Sequence, residues 1–249
     1  MAVTATAVPG LPEVLAGMDL AAAITRCAGE MRDDDVLVIA HKIISKAEGR
    51  VRSLAGVTPS PRALALAAEL GRDDPRHVQV VLDESSEVLR SERGVLIAVT
   101  HHGFVCANAG VDASNVPGDD CVVTLPVDPD ASARALRRRI RELSGVAPAV
   151  LITDSFGRAW RHGQLDVAVG CAGLAPLDDW RGRRDSEGRV LHATWIAIAD
   201  ELAAAADLAR TKDGRQPVVV VRGTARHVVS EDGPGAAALL RPAEEDLFR

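Results

Sequence analysis

The chain has no tyrosine, three phenylalanines and three tryptophans, and only Lys42, Lys46 and Lys212 stand as lysines among its 29 basic residues. Its formal net charge is −6. It therefore offers neither a cationic surface that tracks a phosphate backbone nor an aromatic platform that stacks bases, and no nucleic-acid partner is expected. No apolar run approaches the roughly 20 residues of a membrane helix, so no membrane partner is expected either. The opening MAVTATAVPGLPEV lacks the basic start and long apolar stretch of a secretory signal. Cys27, Cys106, Cys121 and Cys171 are far apart, with no C-x-x-C pair. That pattern predicts free thiols in a reducing cytoplasm rather than a zinc site. G-x-S-x-G, H-E-x-x-H and a Cys/His nucleophile pattern are also missing.

What is present is a chain of 249 residues that is 47% apolar, enough for a sizeable core. We read it as a single domain over 1–249, or two interleaved α/β subdomains. Short β-branched runs predict strands at 36–40 (VLVIA), 77–82 (HVQVVL), 95–100 (VLIAVT), 121–125 (CVVTL), 149–153 (AVLIT), 165–170 (LDVAVG) and 217–222 (PVVVVR). Helices are predicted from Ser60-Pro61 to about Gly71, from a cap at Asp130 to Gly145, and over about 194–209. Arg134 to Arg141 reads as the wet face of the second, with Leu136, Ile140 and Leu143 inward. Neighbouring strands are often too close for a parallel crossover, so antiparallel pairs and a mixed α+β fold are expected.

Four segments could carry chemistry. His41 to Arg50 follows the first strand and reads as a polar loop with two lysines and a serine, either a solvated turn or a polyphosphate cradle. In 107–118, Asp112 and Asn115 suit a hard cation or ligand hydroxyls, or merely satisfy local backbone in an Asx turn. In 151–163, Asp154 and Ser155 follow an apolar strand as candidate metal ligands, with Arg158 and Arg161 as anion grips; an Asp–Arg structural pair is the alternative. The fourth, 210–217, holds the third lysine. His101-His102 is a weaker metal pair, because adjacent strand residues face opposite ways.

Together the stretches GLPEV, DDDVLVIAHKIISKAEGR, CANAGVDASNVPG, LITDSFGRAWRHGQLDVAVGCAGLAPLDDWRG and ADELAAAADLARTKDGRQPVVVVRG resemble the coenzyme F420-0:L-glutamate ligase family, in family order from Gly10 to Gly223. The resemblance implies an intertwined homodimer of mixed α/β fold with mixed and antiparallel sheets. It implies a GTP-dependent ligase that joins L-glutamate to the coenzyme F420 precursor and adds further γ-linked glutamates, using Mg²⁺ or Mn²⁺. Carried over by motif, Leu11, Pro12, Glu13, Val14, His41, Lys42, Lys46 and Asn115 contact GTP. Asp112, Asp154 and Ser155 bind metal, with Lys46, Asp112 and Asp154 catalytic. Arg210, Thr211, Lys212, Asp213, Gly214, Arg215, Gln216 and Pro217 close over the nucleotide.

The chain departs from the family pattern at His41 and Lys42, where small hydroxyl residues are frequent, at Ser155 for threonine, and at Lys212 for a glutamine metal ligand. Other readings of the same groups are a metal-dependent phosphotransferase or nucleotide hydrolase, and an inactive nucleotide-binding partner module. The ending LLRPAEEDLFR resembles the point where actinobacterial bifunctional relatives continue into a nitroreductase-like flavin domain, so the chain is expected to be a stand-alone ligase or a ligase domain.

Overall fold

A computed structural model of the chain describes residues 2–116, 118, 120–211 and 213–247. The elements in order are β1 (Thr4–Ala7), α1 (Leu20–Cys27), β2 (Val36–Ala40), α2 (His41–Ala47), β3 (Val51–Ser53), α3 (Pro61–Leu70), α4 (Pro75–Asp83), β4 (Ser85–Glu92) and β5 (Val95–Thr100). They continue with β6 (Val105–Ala107), β7 (Cys121–Val123), α5 (Pro129–Ser144), β8 (Ala149–Arg158), β9 (Arg161–Ala172), β10 (Asp178–Asp179), β11 (Trp195–Ile196), α6 (Ile198–Asp207) and β12 (Val218–Arg222). The fold is mixed α+β, as expected. A five-stranded sheet runs β1-β12-β2-β8-β9, and within it only β2 and β8 pair in parallel. A three-stranded antiparallel sheet, β4-β5-β6, lies under α3 and α4, and β3 pairs antiparallel with β7.

Both faces of the large sheet are buried, which is why its central strands are continuous apolar runs rather than alternating ones. Leu37, Ile39, Val150 and Ile152 pack with α1 and α5 on one face. Val36, Val38, Ala149 and Leu151 pack with α6 on the other. This parity decides where the later residues of β8 point: Asp154 continues the first face, while Thr153 and Ser155 continue the second.

Strands 36–40 and 95–100 fall as predicted, and the first predicted helix is α3, with Ser60 capping Ala63 N and Gly71 ending it at φ 63°. Residues 77–82 are not a strand. They form α4, because Asp74 accepts from Arg76 N and Pro75 presets the first turn, which outweighs the modest helix cost of three valines. The stretch after His41 is not a loop either. The chain turns from β2 directly into α2, and Gly49 (φ 73°) stops it, with Arg50 N donating to Ser45 O and Gly49 N to Lys46 O. Between α4 and β5 the polar stretch Ser85–Glu92 forms the strand β4. Strands β8 and β9 extend well past 153 and before 165 into one long hairpin.

The cap of α5 is Asp128, whose side chain accepts from Ala131 N; Asp130 instead accepts from Cys171 N and Ala236 N. Within α5 the expected faces are corrected at two positions. Arg137 is buried and donates to the carbonyls of Ala147, Pro148, Val229 and Ser230, while Leu143 is exposed. The third predicted helix begins later than expected, at Ile198, after Trp195 and Ile196 pair as β11. All four cysteines are free. No helix among the described residues is long and apolar enough to cross a membrane.

Candidate active site

Strand pairing brings four of the five motif segments to one end of the large sheet, and the contact of Lys42 with Asp112 brings the fifth there. Ala40, the last residue of β2, pairs with Thr153 in β8, so His41, where the chain turns into α2, comes beside Asp154, which continues β8. On the other side of β2, Val218 of β12 pairs with Ile39, and Ala40 N donates to Pro217 O at 2.9 Å. Residues 210–217 therefore enter the sheet at that same end. Val8 N donates to Val218 O, which starts residues 11–14 there as well, with Leu11 and Val14 packed into the core and Pro12 and Glu13 exposed.

Helix α2 supplies three charged or titratable groups to this end. Lys42 Nζ donates to Asp112 Oδ2 at 2.7 Å, and to the hydroxyl and carbonyl oxygens of Ser114 at 2.6 and 3.1 Å. Asp112 is itself held in place by a two-residue bridge to Val123. Burial pushes the Asp112 carboxyl up, but the Lys42 ammonium and Ser114 N–H more than offset this, and the net shift is below the usual carboxylate value. Lys46, buried along its stem, places Nζ 2.5 Å from Glu13 Oε1.

His41 is 1% exposed. Its Nδ1 lies 3.3 Å from Ser45 Oγ and its Nε2 lies 3.3 Å from Asp154 Oδ1, an ion-pair distance without hydrogen-bond alignment. Each candidate metal carboxylate thus faces a basic side chain from one of two consecutive residues.

Ser155 lies on the opposite face of β8 from Asp154. Its hydroxyl donates to Asp166 Oδ1 at 2.7 Å, directly across the β8–β9 ladder, while its N–H donates to Asp154 Oδ1 at 2.8 Å. Asp166, 2% exposed, also accepts from Thr153 Oγ1 at 2.8 Å and from the Arg210 guanidinium. Arg210 further donates to Pro217 O at 3.3 Å. Thr211, Asp213, Gly214 and Arg215 are exposed, Gln216 and Pro217 are half-buried, and Lys212 lies outside the described residues.

Asn115 is exposed with a left-handed φ of 57°. Arg158 donates to His162 O within the exposed part of the hairpin, and Arg161 is exposed beside it. His101 and His102 donate to separate backbone carbonyls, of Asp83 at 2.9 Å and of Pro126 at 2.9 Å. Among the described residues, no three or more His, Cys, Asp and Glu side chains gather in a way that holds a metal.

Asp166 is the site residue that motif reading passes over. An acidic side chain in LDVAVG, at a position that alternation turns inward, was the available signal.

The sequence profile of the family described as F420-0:Gamma-glutamyl ligase matches residues 10–223. The chain is 46% identical over 255 residues to "Coenzyme F420:L-glutamate ligase" of Methanothermobacter thermautotrophicus, covering 100% of both chains. It is 46% identical over 249 residues to the protein of that name from Haloarcula marismortui, covering 98% of this chain and 94% of the relative. The same identity holds over 244 residues with that of Methanopyrus kandleri, covering 97% and 96%. With the profile spanning all five motif segments and relatives matched end to end, the chain belongs to the F420-0:gamma-glutamyl ligase family.

Proposed function

We propose that this enzyme, a ligase forming a C–N bond, adds L-glutamate to coenzyme F420-0 and then further γ-linked glutamates, with GTP as co-substrate and an acyl phosphate as intermediate. The observation that carries the reading is the convergence of residues 11–14, His41–Lys46, Asp112, Asp154 and 210–217 at one end of the large sheet, since these are the segments that the resemblance assigns to nucleotide and metal. A cytoplasmic homodimer is part of the proposal.

The donor set fits a hard divalent cation. Asp112 and Asp154 are oxygen donors, and Mg²⁺ or Mn²⁺ is commonly held by one or two carboxylates with phosphate oxygens and waters completing the shell. The two carboxylates face the Lys42 ammonium and the His41 imidazole, so both are turned towards nitrogen groups rather than towards apolar packing. Asp112 and Asp154 would hold the ion, while the Ser155 side chain, on the opposite face of β8, is engaged by Asp166. Bound there, the metal would neutralise phosphate charge during phosphoryl transfer.

A carboxylate and an ammonium do not condense at neutral pH. In the proposed first step a precursor carboxylate oxygen attacks the γ-phosphorus of GTP, the bond to the β-phosphate oxygen breaks, and GDP leaves. The glutamate amine, having lost a proton, then attacks the acyl carbon. The C–O bond to phosphate breaks, and amide and inorganic phosphate are released. Lys46 would exchange Glu13 for a nucleotide phosphate, and residues 210–217 would cover it. No protein nucleophile takes part, in keeping with the lack of any such motif.

The test incubates the protein with GTP, Mn²⁺, L-glutamate and the precursor. The proposal expects products heavier by whole glutamyl units, with one GDP per unit. GDP release indifferent to glutamate and precursor would identify a hydrolase instead, and GTP binding without turnover a partner module.

A further inference from the structure

We infer that Asp166 is a positioning residue that holds residues 210–217 in place over the sheet end and fixes the strand that presents Asp154. This rests on the proposed role of 210–217 in nucleotide binding. Among the described residues, the buried Asp166 carboxylate collects three donors from two places: Thr153 Oγ1 and Ser155 Oγ from β8, and the Arg210 guanidinium from the segment after α6. Arg210 is the first residue of the loop, and the same guanidinium donates to the carbonyl of Pro217, its last. It also donates to Thr153 Oγ1 at 3.2 Å. One side chain thus ties both ends of the loop together, and Asp166 ties that side chain to β8.

Between these ends Thr211, Asp213, Gly214 and Arg215 are exposed. A segment with pinned ends and a solvated middle keeps its position only as long as the pins hold. Neighbouring apolar residues would give fold stability at no cost in buried charge, since a buried ion pair contributes little net stability over well-packed hydrophobic replacements. What a carboxylate does here that an apolar side chain cannot is fix the orientation of the guanidinium and of the Ser155 hydroxyl at once. Because Ser155 is tethered on one face of β8, Asp154 is directed to the other, where His41 lies.

The test uses the full chain and the variant Asp166→Asn, which keeps the shape and one acceptor but loses the charge that pairs with Arg210. In steady state, KM for GTP should rise about tenfold or more while KM for L-glutamate stays within about twofold. Without any nucleotide, tryptic cleavage after Arg210 and Arg215 should accelerate relative to cleavage in the exposed 181–189 loop. A folded Asp166→Asn protein with an unchanged KM for GTP, or with equal rises in both KM values, would overturn the inference. If Asp166→Asn does not fold, Thr153→Val, which removes one partner from Asp166 and one from Arg210, decides the matter by the same split. If the wild-type protein forms no glutamylated product with GTP, the proposed function fails on its own. The tryptic comparison then decides the role of Asp166, and equal cleavage rates would overturn it.

Discussion

Lys42 Nζ sits 2.7 Å from Asp112 Oδ2, so the ammonium of α2 occupies the very carboxylate that the family pattern gives to a metal. The pair is only partly shielded, at 20% and 44% side-chain exposure, so its own contribution to stability is about 1 kcal/mol or less. The variant Lys42→Ser, which keeps a small polar group but removes the ammonium, should melt within a few degrees of wild type yet bind Mn²⁺ several-fold more tightly in calorimetric titration. Unchanged or weaker binding would show that Lys42 does not compete for Asp112. Folding lowers the Asp112 carboxyl below its ordinary 3.8, so its stabilising contribution is complete above that value and is lost as the pH falls through the folded one. In Lys42→Ser that acid-limb loss should shrink.

Lys46 presents a different relationship, a buried stem whose ammonium meets an exposed glutamate. Arginine carries a wide planar fork that a slot shaped for a compact ammonium does not accept. Lys46→Arg should therefore raise KM for GTP by about tenfold or more, whereas Arg139→Lys on the exposed face of α5 should leave it within about twofold. Equal effects in steady-state kinetics would show that position 46 does not require a compact ammonium.

The thiols divide by burial. Burial pushes both Cys106 and Cys171 up to about 12, with the Asp154 carboxylate adding to the first and Asp130 to the second. Both are neutral thiols near pH 8 and poor nucleophiles. A disulfide reagent should therefore titrate Cys27 and Cys121 in the native protein, and reach the other pair only after unfolding. Rapid native labelling of Cys106 would contradict the packing of β6.

Asp200, in the first turn of α6, accepts from Ala168 N at 2.9 Å, and burial raises its carboxyl above the ordinary 3.8. A raised acid is bound by its proton more tightly in the folded state, so its contribution is best below the unfolded value and declines as the pH rises through the folded one. Asp200→Asn keeps the acceptor and removes the titration. Its melting temperature relative to wild type should move in the variant's favour from about pH 4 to about pH 8. A gap that does not vary with pH would contradict the burial argument.

How much of this was legible in the sequence follows from which forces are local. The strands at 36–40 and 95–100 and the helix opened by Ser60-Pro61 carry their signals in their own residues, as β-branched runs or a cap. Residues 77–82 carry conflicting ones, and the deciding cap at Asp74 lies outside the run. Helix α2 has no side-chain cap and only seven residues, and its stop at Gly49 was the one readable sign.

At the site, family spacing marked Asp112, Asp154 and the lysines, but their pairings span 70 residues for Lys42–Asp112 and 33 for Lys46–Glu13, which no local pattern encodes. The separation of Asp154 from Ser155 onto two faces became visible only once β8 was known to run through both. Asp166 escaped because its partners come from a cross-strand neighbour and a loop beyond α6.

The most direct measurement of the central claim follows oxygen atoms. The precursor's terminal carboxylate is labelled with heavy oxygen and turned over with GTP, Mn²⁺ and L-glutamate. Ligation through an acyl phosphate predicts one labelled oxygen in the inorganic phosphate released with the first glutamyl unit, with one GDP for every unit gained. A first glutamyl unit added with release of unlabelled phosphate, or GTP consumed with no glutamylated product, would contradict it.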